Sequence, residues 1–186
     1  MTVSKSRRNN IIFLIVIALL IIPQTRQPIQ IMLHKGLALF SPSVINKKNS
    51  EVINNYDWKL KDLDNNQVNL NEYKGQVIFL NLWATWCPPC IAEMPSLQEL
   101  YHDYNDKIVF LLVTIEETDV IKKFLDKNNY DFDIHQPLSE SPEILKSRSI
   151  PRTFLIDKEG NILINKSGAA NWNSERVRET IDNLLK

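Results

Sequence analysis

The stretch that most constrains this chain is Trp86-Cys87-Pro88-Pro89-Cys90, which holds its only two cysteines. They follow the apolar run Val77-Ile78-Phe79-Leu80-Asn81-Leu82-Trp83 and precede a segment in which Ile91, Met94, Leu97, Leu100, Tyr101 and Tyr104 recur at helical spacing. The expected order is therefore strand, turn, thiol pair, helix. A cysteine at a helix N-terminus lies among unpaired backbone N–H groups at the positive end of the helix dipole, which favours its thiolate. Cys87 is the better placed of the two. Cys90, one turn further along, is near enough to attack a mixed disulfide formed on Cys87. The first helical turn tolerates proline, because the N–H that Pro89 lacks would have no partner there.

Two inert readings compete with a redox pair. A structural disulfide closing so short a loop would restrain the unfolded chain little. A zinc site ordinarily needs four ligands, and beyond the two cysteines the chain has only His34, His102 and His135, at no recognised ligand spacing. No metal site and no cofactor other than a Cys87–Cys90 disulfide is expected.

The chain has 186 residues and zero formal charge, but the charge is segregated. Residues 1–50 carry seven Lys or Arg and no acid, leaving 15 basic against 22 acidic groups in the remainder, a net of −7. A nucleic-acid partner is not expected for so acidic a module.

The cations Lys5, Arg7 and Arg8 precede an unbroken apolar run from Ile11 to Ile22. As a helix this run is about 18 Å long against a hydrocarbon core of about 30 Å, so length alone suits a signal-peptide core. The nearest small-x-small pattern, Gly36-Leu37-Ala38, lies well beyond the run, and no lipoprotein cysteine is present. Residues 1–28 are therefore read as an uncleaved, single-pass membrane anchor. The cations ahead of the run would stay in the cytoplasm and the rest of the chain would lie on the periplasmic or extracytoplasmic side.

Pro23 and Pro28 are expected to interrupt the helix. Residues 29–50 read as an apolar extension followed by a linker from Ser41 to Ser50. The extension would lie along the membrane surface, continue the anchor or pack loosely. Residues 51–186 form the globular module.

Within the module, Tyr56 to Leu60 and Gln67 to Leu70 flank a turn-rich segment and suggest a hairpin or two edge strands. Asn71 to Gly75 reads as a helical turn. Ile108 to Ile115 is a second buried strand, followed by a helix around Val120 to Leu125 and a short helix near Pro142 to Lys146. Thr153 to Ile156 and Asn161 to Lys166 form a hairpin through Gly160, and Asn173 to Lys186 is a closing helix. Pro95 is expected to kink the helix after the cysteines. Strands alternating with helices describe an α/β sandwich.

Two motifs carry a family resemblance. Asn81-Leu82-Trp83-Ala84-Thr85-Trp86-Cys87-Pro88-Pro89-Cys90 with Glu93-Met94-Pro95, and Ile150-Pro151-Arg152-Thr153-Phe154-Leu155-Ile156-Asp157, closely resemble the membrane-anchored TlpA/ResA-like thiol:disulfide oxidoreductases of the thioredoxin superfamily. The resemblance covers residues 51–186. It implies a thioredoxin-like fold, a central mixed β-sheet flanked by helices, with the N-terminal membrane anchor ahead of it.

It further implies that Cys87 is the nucleophile and Cys90 the resolving thiol. Pro151 would be a cis-proline facing the pair, and Ile150 would offer its backbone to an incoming peptide. Asn81 stands where thioredoxin has a buried aspartate and cannot relay a proton. Glu93 matches a glutamate of the TlpA/ResA-like branch, either exchanging a proton with Cys90 or tuning the pair, against the alternative of a solvated carboxylate. Trp86 would cover the pair as part of a docking surface or simply pack, and Trp83 would be core. Pro88, beside the pair in the substrate-binding region, replaces a glutamate found in some ResA-like proteins and removes one tuning charge.

The function expected is extracytoplasmic reduction of protein disulfides, with apocytochrome c among the substrates the family suggests. A membrane electron donor would re-reduce the pair. A thiol oxidase of the same fold is the main alternative. Copper delivery would require a histidine such as His135 brought to the cysteines, and a peroxidase is disfavoured because no peroxide-binding Pro/Thr context leads into Cys87.

Overall fold

The computed structural model describes residues 5–186; the first four residues of the 1–28 segment lie outside them. One seven-stranded sheet organises the molecule. Its strands are β1 (Lys59–Asp62), β2 (Gln67–Asn69), β3 (Ile78–Leu82), β4 (Val109–Val113), β5 (Ile134–Pro137), β6 (Arg152–Ile156) and β7 (Ile162–Ser167), in the order β2-β1-β5-β4-β3-β6-β7. The central strands β3, β4 and β5 are parallel, and β6, β7, β1 and β2 join antiparallel. This is the mixed sheet of a thioredoxin-like fold.

The twofold alternation of β3 decides what each face packs against. Phe79 joins a core with residues of α3 (Pro88–Tyr104), α4 (Thr118–Asn128) and α5 (Glu175–Leu185), including Met94, Leu97, Ile121, Val177 and Ile181. Phe79 meets Trp172 edge-on at 5.1 Å between ring centroids. Ile78 and Leu80 point the other way, into a second core with Ile53, Trp58, Leu60, Leu70 and Leu145. Strands buried on both faces are mainly apolar, as β4 is throughout and β3 is apart from Asn81.

β5 escaped the sequence reading for a physical reason. Ile134-His135-Gln136-Pro137 has no apolar alternation, yet His135 and Gln136 are buried because β5 lies between β4 and β1. The helical turn expected at 71–75 is a 3-10 turn, Leu70–Tyr73, closed by a capping box between Asn69 and Glu72. The short helix expected at 142–146 is likewise a 3-10 turn, Glu143–Leu145. α3 continues through Pro95.

The N-terminal segment differs more. α1 (Lys5–Ile21) stops at a bend, and α2 (Pro23–Leu37) starts with Pro23 in its first turn, where no N–H is needed, and runs through Pro28. Pro28 therefore does not end the helix. Among the described residues no helix is long and apolar enough to cross a membrane. The stretch read as a linker is hydrogen-bonded to the domain through Ile45 N–H, which donates to Leu163 O (2.7 Å), and Phe40 O just before it accepts from Asn171 N–H (2.9 Å).

Gly160, in the turn between β6 and β7, has φ +85°, and an added Cβ would lie 2.6 Å from Tyr56 Oη and 3.3 Å from Ile53 O. Gly160→Ala is expected to lower stability by about 1–2 kcal/mol from the left-handed backbone alone, with the contact adding to it. A urea-unfolding midpoint unchanged from the parent protein would refute this account of the turn.

Candidate active site

β3 and β6 pair antiparallel with Leu82 opposite Arg152, so the exit of β3 and the entry of β6 share one end of the sheet. The chain reaches Cys87 five residues after β3 and leaves Pro151 immediately before β6. The sheet thus brings the two sequence motifs to one edge. Cys87 and Cys90 are disulfide-bonded, with Cα atoms 5.2 Å apart. Cys87 is the N-cap of α3, and its Sγ accepts the Cys90 N–H at 3.3 Å. Pro88 and Pro89 occupy the first turn. Cys90 is fully enclosed, whereas Cys87 keeps a sliver of exposed surface. The Ile150–Pro151 peptide bond is cis.

The turn ahead of Cys87 is held by a carboxylate that the sequence reading did not single out. Thr85 donates its N–H and its hydroxyl to Glu116, each at 2.6 Å, and Gln136 Nε2 donates to Glu116 O at 2.6 Å. Glu116 follows β4, so the thiol-bearing turn is tied to the neighbouring strand's exit. Nothing local in Ile115-Glu116-Glu117 signals this role, because it depends on how β3 and β4 lie side by side.

Glu93 is not on the solvated face of α3. It is completely buried and accepts Asn81 Nδ2–H (2.9 Å), Trp172 Nε1–H (2.9 Å) and Ala170 N–H (3.3 Å). Asn81 Nδ2 also donates to Thr153 Oγ1 at 2.8 Å, while Asn81 Oδ1 is buried without a partner. Burial favours the neutral acid and the three N–H donors favour the anion; burial wins, and the Glu93 carboxyl is pushed up to about 8. Glu93 lies three residues after Cys90 on α3, a spacing that places both on one helix face. Trp172 escaped the sequence reading because it stands in an irregular segment far from α3 in sequence.

Trp86 is exposed, and Trp83 is buried against Phe124. Trp86 and Ile150 line a mainly apolar cleft of about 310 Å³ with Trp58, Trp83, Ile115 and Ser139. Ile115, at the rim of this cleft, is 87% exposed. Pro88 faces a different groove, shared with Trp86, Pro89 and α2. Among the described residues, no three His, Cys, Asp or Glu are gathered so as to hold a metal ion, so His135 is not assembled with the two cysteines as copper delivery required.

A thioredoxin-like sheet with a cysteine pair capping the helix after its central strand defines a thiol-redox protein. The AhpC/TSA family model matches residues 54–164, and the chain belongs to that family, within the thioredoxin superfamily. More narrowly, it is similar to the thiol-disulfide oxidoreductase ResA of Bacillus thuringiensis subsp. konkukian, at 33% identity over 135 residues, covering 70% of this chain and 73% of the relative. The crystal structure of a candidate thiol-disulfide oxidoreductase from Bacteroides vulgatus is 35% identical with a TM-score of 0.53, covering 68% of this chain and 90% of that one. An exposed lipoprotein thioredoxin from Streptococcus pneumoniae is 27% identical with a TM-score of 0.52, covering 69% and 99%. The protein is a ResA-like thiol:disulfide oxidoreductase.

The buried acid gives a pH signature. Because the folded-state value of Glu93, about 8, is raised above its ordinary 4.5, folding favours the protonated acid. Its contribution to stability is fully present below 4.5 and is lost as pH rises through about 8. In the oxidised protein, the fall in urea midpoint across that window should largely vanish in Glu93→Gln; equal slopes in both proteins would contradict it.

Proposed function

We propose that the protein reduces disulfides of other proteins outside the cytoplasm, and the observation that carries this is Cys87 Sγ at the N-cap of α3, beside the apolar cleft. In the reduced protein the helix N-terminus favours the Cys87 thiolate. That thiolate attacks one sulfur of a substrate disulfide, forming a mixed disulfide and releasing the other substrate sulfur as a thiolate. Cys90, shielded from outside attack, then attacks Cys87 Sγ. The second substrate thiolate leaves, and Cys87–Cys90 is oxidised by two electrons.

Glu93 is the group assigned to take the Cys90 proton. A carboxyl titrating near 8 is matched to a proton exchanged around neutral pH, whereas an ordinary carboxylate would be too weak a base. Trp86 and Ile150, with Pro88 and Pro151 beside the pair, form the surface assigned to the substrate polypeptide. The apolar cleft suits an extended segment flanking the target cysteine. Apocytochrome c is one substrate class of the right kind, and a membrane electron donor would return the pair to the dithiol.

The assignment outside the cytoplasm rests on the basic-then-apolar start of the chain and on the lipoprotein nature of the pneumococcal neighbour. Residues 1–28 are assigned to the anchor, 29–50 to the segment joining it to the domain, and 51–186 to the catalytic module. The apolar part of α1 falls short of the hydrocarbon thickness, which local bilayer thinning and snorkelling of flanking side chains would accommodate.

The deciding measurement is the reduction potential of the Cys87/Cys90 pair by equilibration with glutathione or dithiothreitol. A value near thioredoxin's, roughly −270 mV, is expected; one near DsbA's, roughly −120 mV, would reverse the direction and make the protein an oxidase. Cys90→Ala should accumulate a mixed disulfide on Cys87 with a peptide disulfide, while Cys87→Ala should accumulate none. Equal trapping by both variants would overturn the division of roles.

A further inference from the structure

The exposed flank of α2 is more apolar than water favours. Its flank toward α3 carries Gln30, Ile31 and His34, all half-buried, and ends on Ala38, buried against Ala92 and Ala169. Gln30 and His34 share a groove with Trp86, Pro88 and Pro89, and Ile31 shares one with Thr85 and Ile91. The opposite flank and the turn that follows carry Met32, Leu33, Leu37, Leu39 and Phe40, with exposures from 57% to 75%. A surface helix in water puts its apolar stripe inward and its amides outward. Here Gln30 and His34 turn toward the domain beside Ile31, while Met32, Leu33 and Leu37 face out.

Across the break at Ile22 and the polar stretch from Gln24 to Gln27, α1 likewise exposes Ile11, Ile12, Phe13, Leu14, Ile15 and Ile21. The same region holds the cations Arg26, Lys35 and Lys48 and no acid between residues 5 and 50. An apolar strip in a segment whose own charges are all positive matches an anionic lipid surface.

We propose that α2 lies in the membrane interface, with Met32, Leu33, Leu37, Leu39 and Phe40 in lipid and its inner flank on α3. The interface helix is then a bracket. It holds the N-terminal end of α3, and with it Cys87, at a fixed height and orientation beside the bilayer. The inference rests on the membrane anchoring proposed above and adds to it a second, peripheral contact that sets the pose of the redox site.

The full chain, reconstituted in phosphatidylcholine–phosphatidylglycerol vesicles, tests both levels. Leu33→Trp adds one fluorophore on the proposed lipid face, and Lys158→Trp adds one to the exposed turn at the far end of β6. When lipids brominated at shallow acyl positions replace their unlabelled counterparts, the emission added by Leu33→Trp should be lost and that added by Lys158→Trp retained. If the wild-type chain floats with the vesicles but the Leu33→Trp emission survives, the interface proposal falls and anchoring stands. If the chain does not float, both fall. A Leu33→Trp emission insensitive to bromine but changing with protein dilution would assign the strip to a second copy and overturn the lipid assignment.

Discussion

One buried carboxyl group joins the parts of the active site that are distant in sequence. Glu93 on α3 is bonded to Asn81 on β3, to the Ala170 amide after β7 and to the Trp172 indole, and Asn81 carries the network on to Thr153 on β6. Both sequence motifs, the one around the cysteines and the one after Ile150, meet at this point. An unpaired acid here would cost several kcal/mol, so the group is tolerated only because it is both hydrogen-bonded and shifted toward neutrality. The orphaned Asn81 Oδ1 is informative in this light. With the Asn81 amide turned over, it would become an acceptor for a proton on Glu93 Oε1, which the neutral acid needs. Asn81 is therefore suited to holding either state of its partner, although it cannot itself give up a proton.

The cysteine-bearing turn depends on a second carboxylate in a different way. Glu116 accepts two hydrogen bonds from Thr85 and so fixes the chain two residues before Cys87. The first carboxyl ties α3 to β3 and to the segment after β7, and the second fixes the turn ahead of the pair. Between them the Cys87 sulfur is held at the helix N-cap, where its thiolate gains from the dipole, rather than being left on a mobile loop.

What the sequence made legible follows the same division. The strand, cysteine pair and helix could be read directly because each has a local signature: a continuous apolar run, a thiol spacing and a helical apolar period. So could the final hairpin, whose Gly160 sits where a positive φ is needed. β5 could not be read, because its polar residues are buried by neighbours on both sides rather than by its own pattern. The burial of Glu93 was open for the same reason: the alternation of α3 does not reveal that an indole eighty residues later closes over the carboxyl. Glu116 and Trp172 acquire their roles only when the sheet order brings remote segments together. Local chemistry is visible in sequence, whereas long-range enclosure is not.

The N-terminal segment reverses this lesson. There the sequence states the apolar content plainly but leaves the fate of residues 29–40 open between membrane surface, anchor and loose extension. The structure adds the direction in which the side chains face. Ala38 is buried and Phe40 accepts a hydrogen bond from Asn171, so the segment is not loose. The break at Ile22 and Pro23 turns α2 away from a simple continuation of α1. Laid along the membrane surface as proposed, α2 would turn Gln30 and His34 to the domain and Met32, Leu33 and Leu37 to lipid. Each residue type is then matched to its surroundings, provided that those surroundings are lipid on one side and the domain on the other.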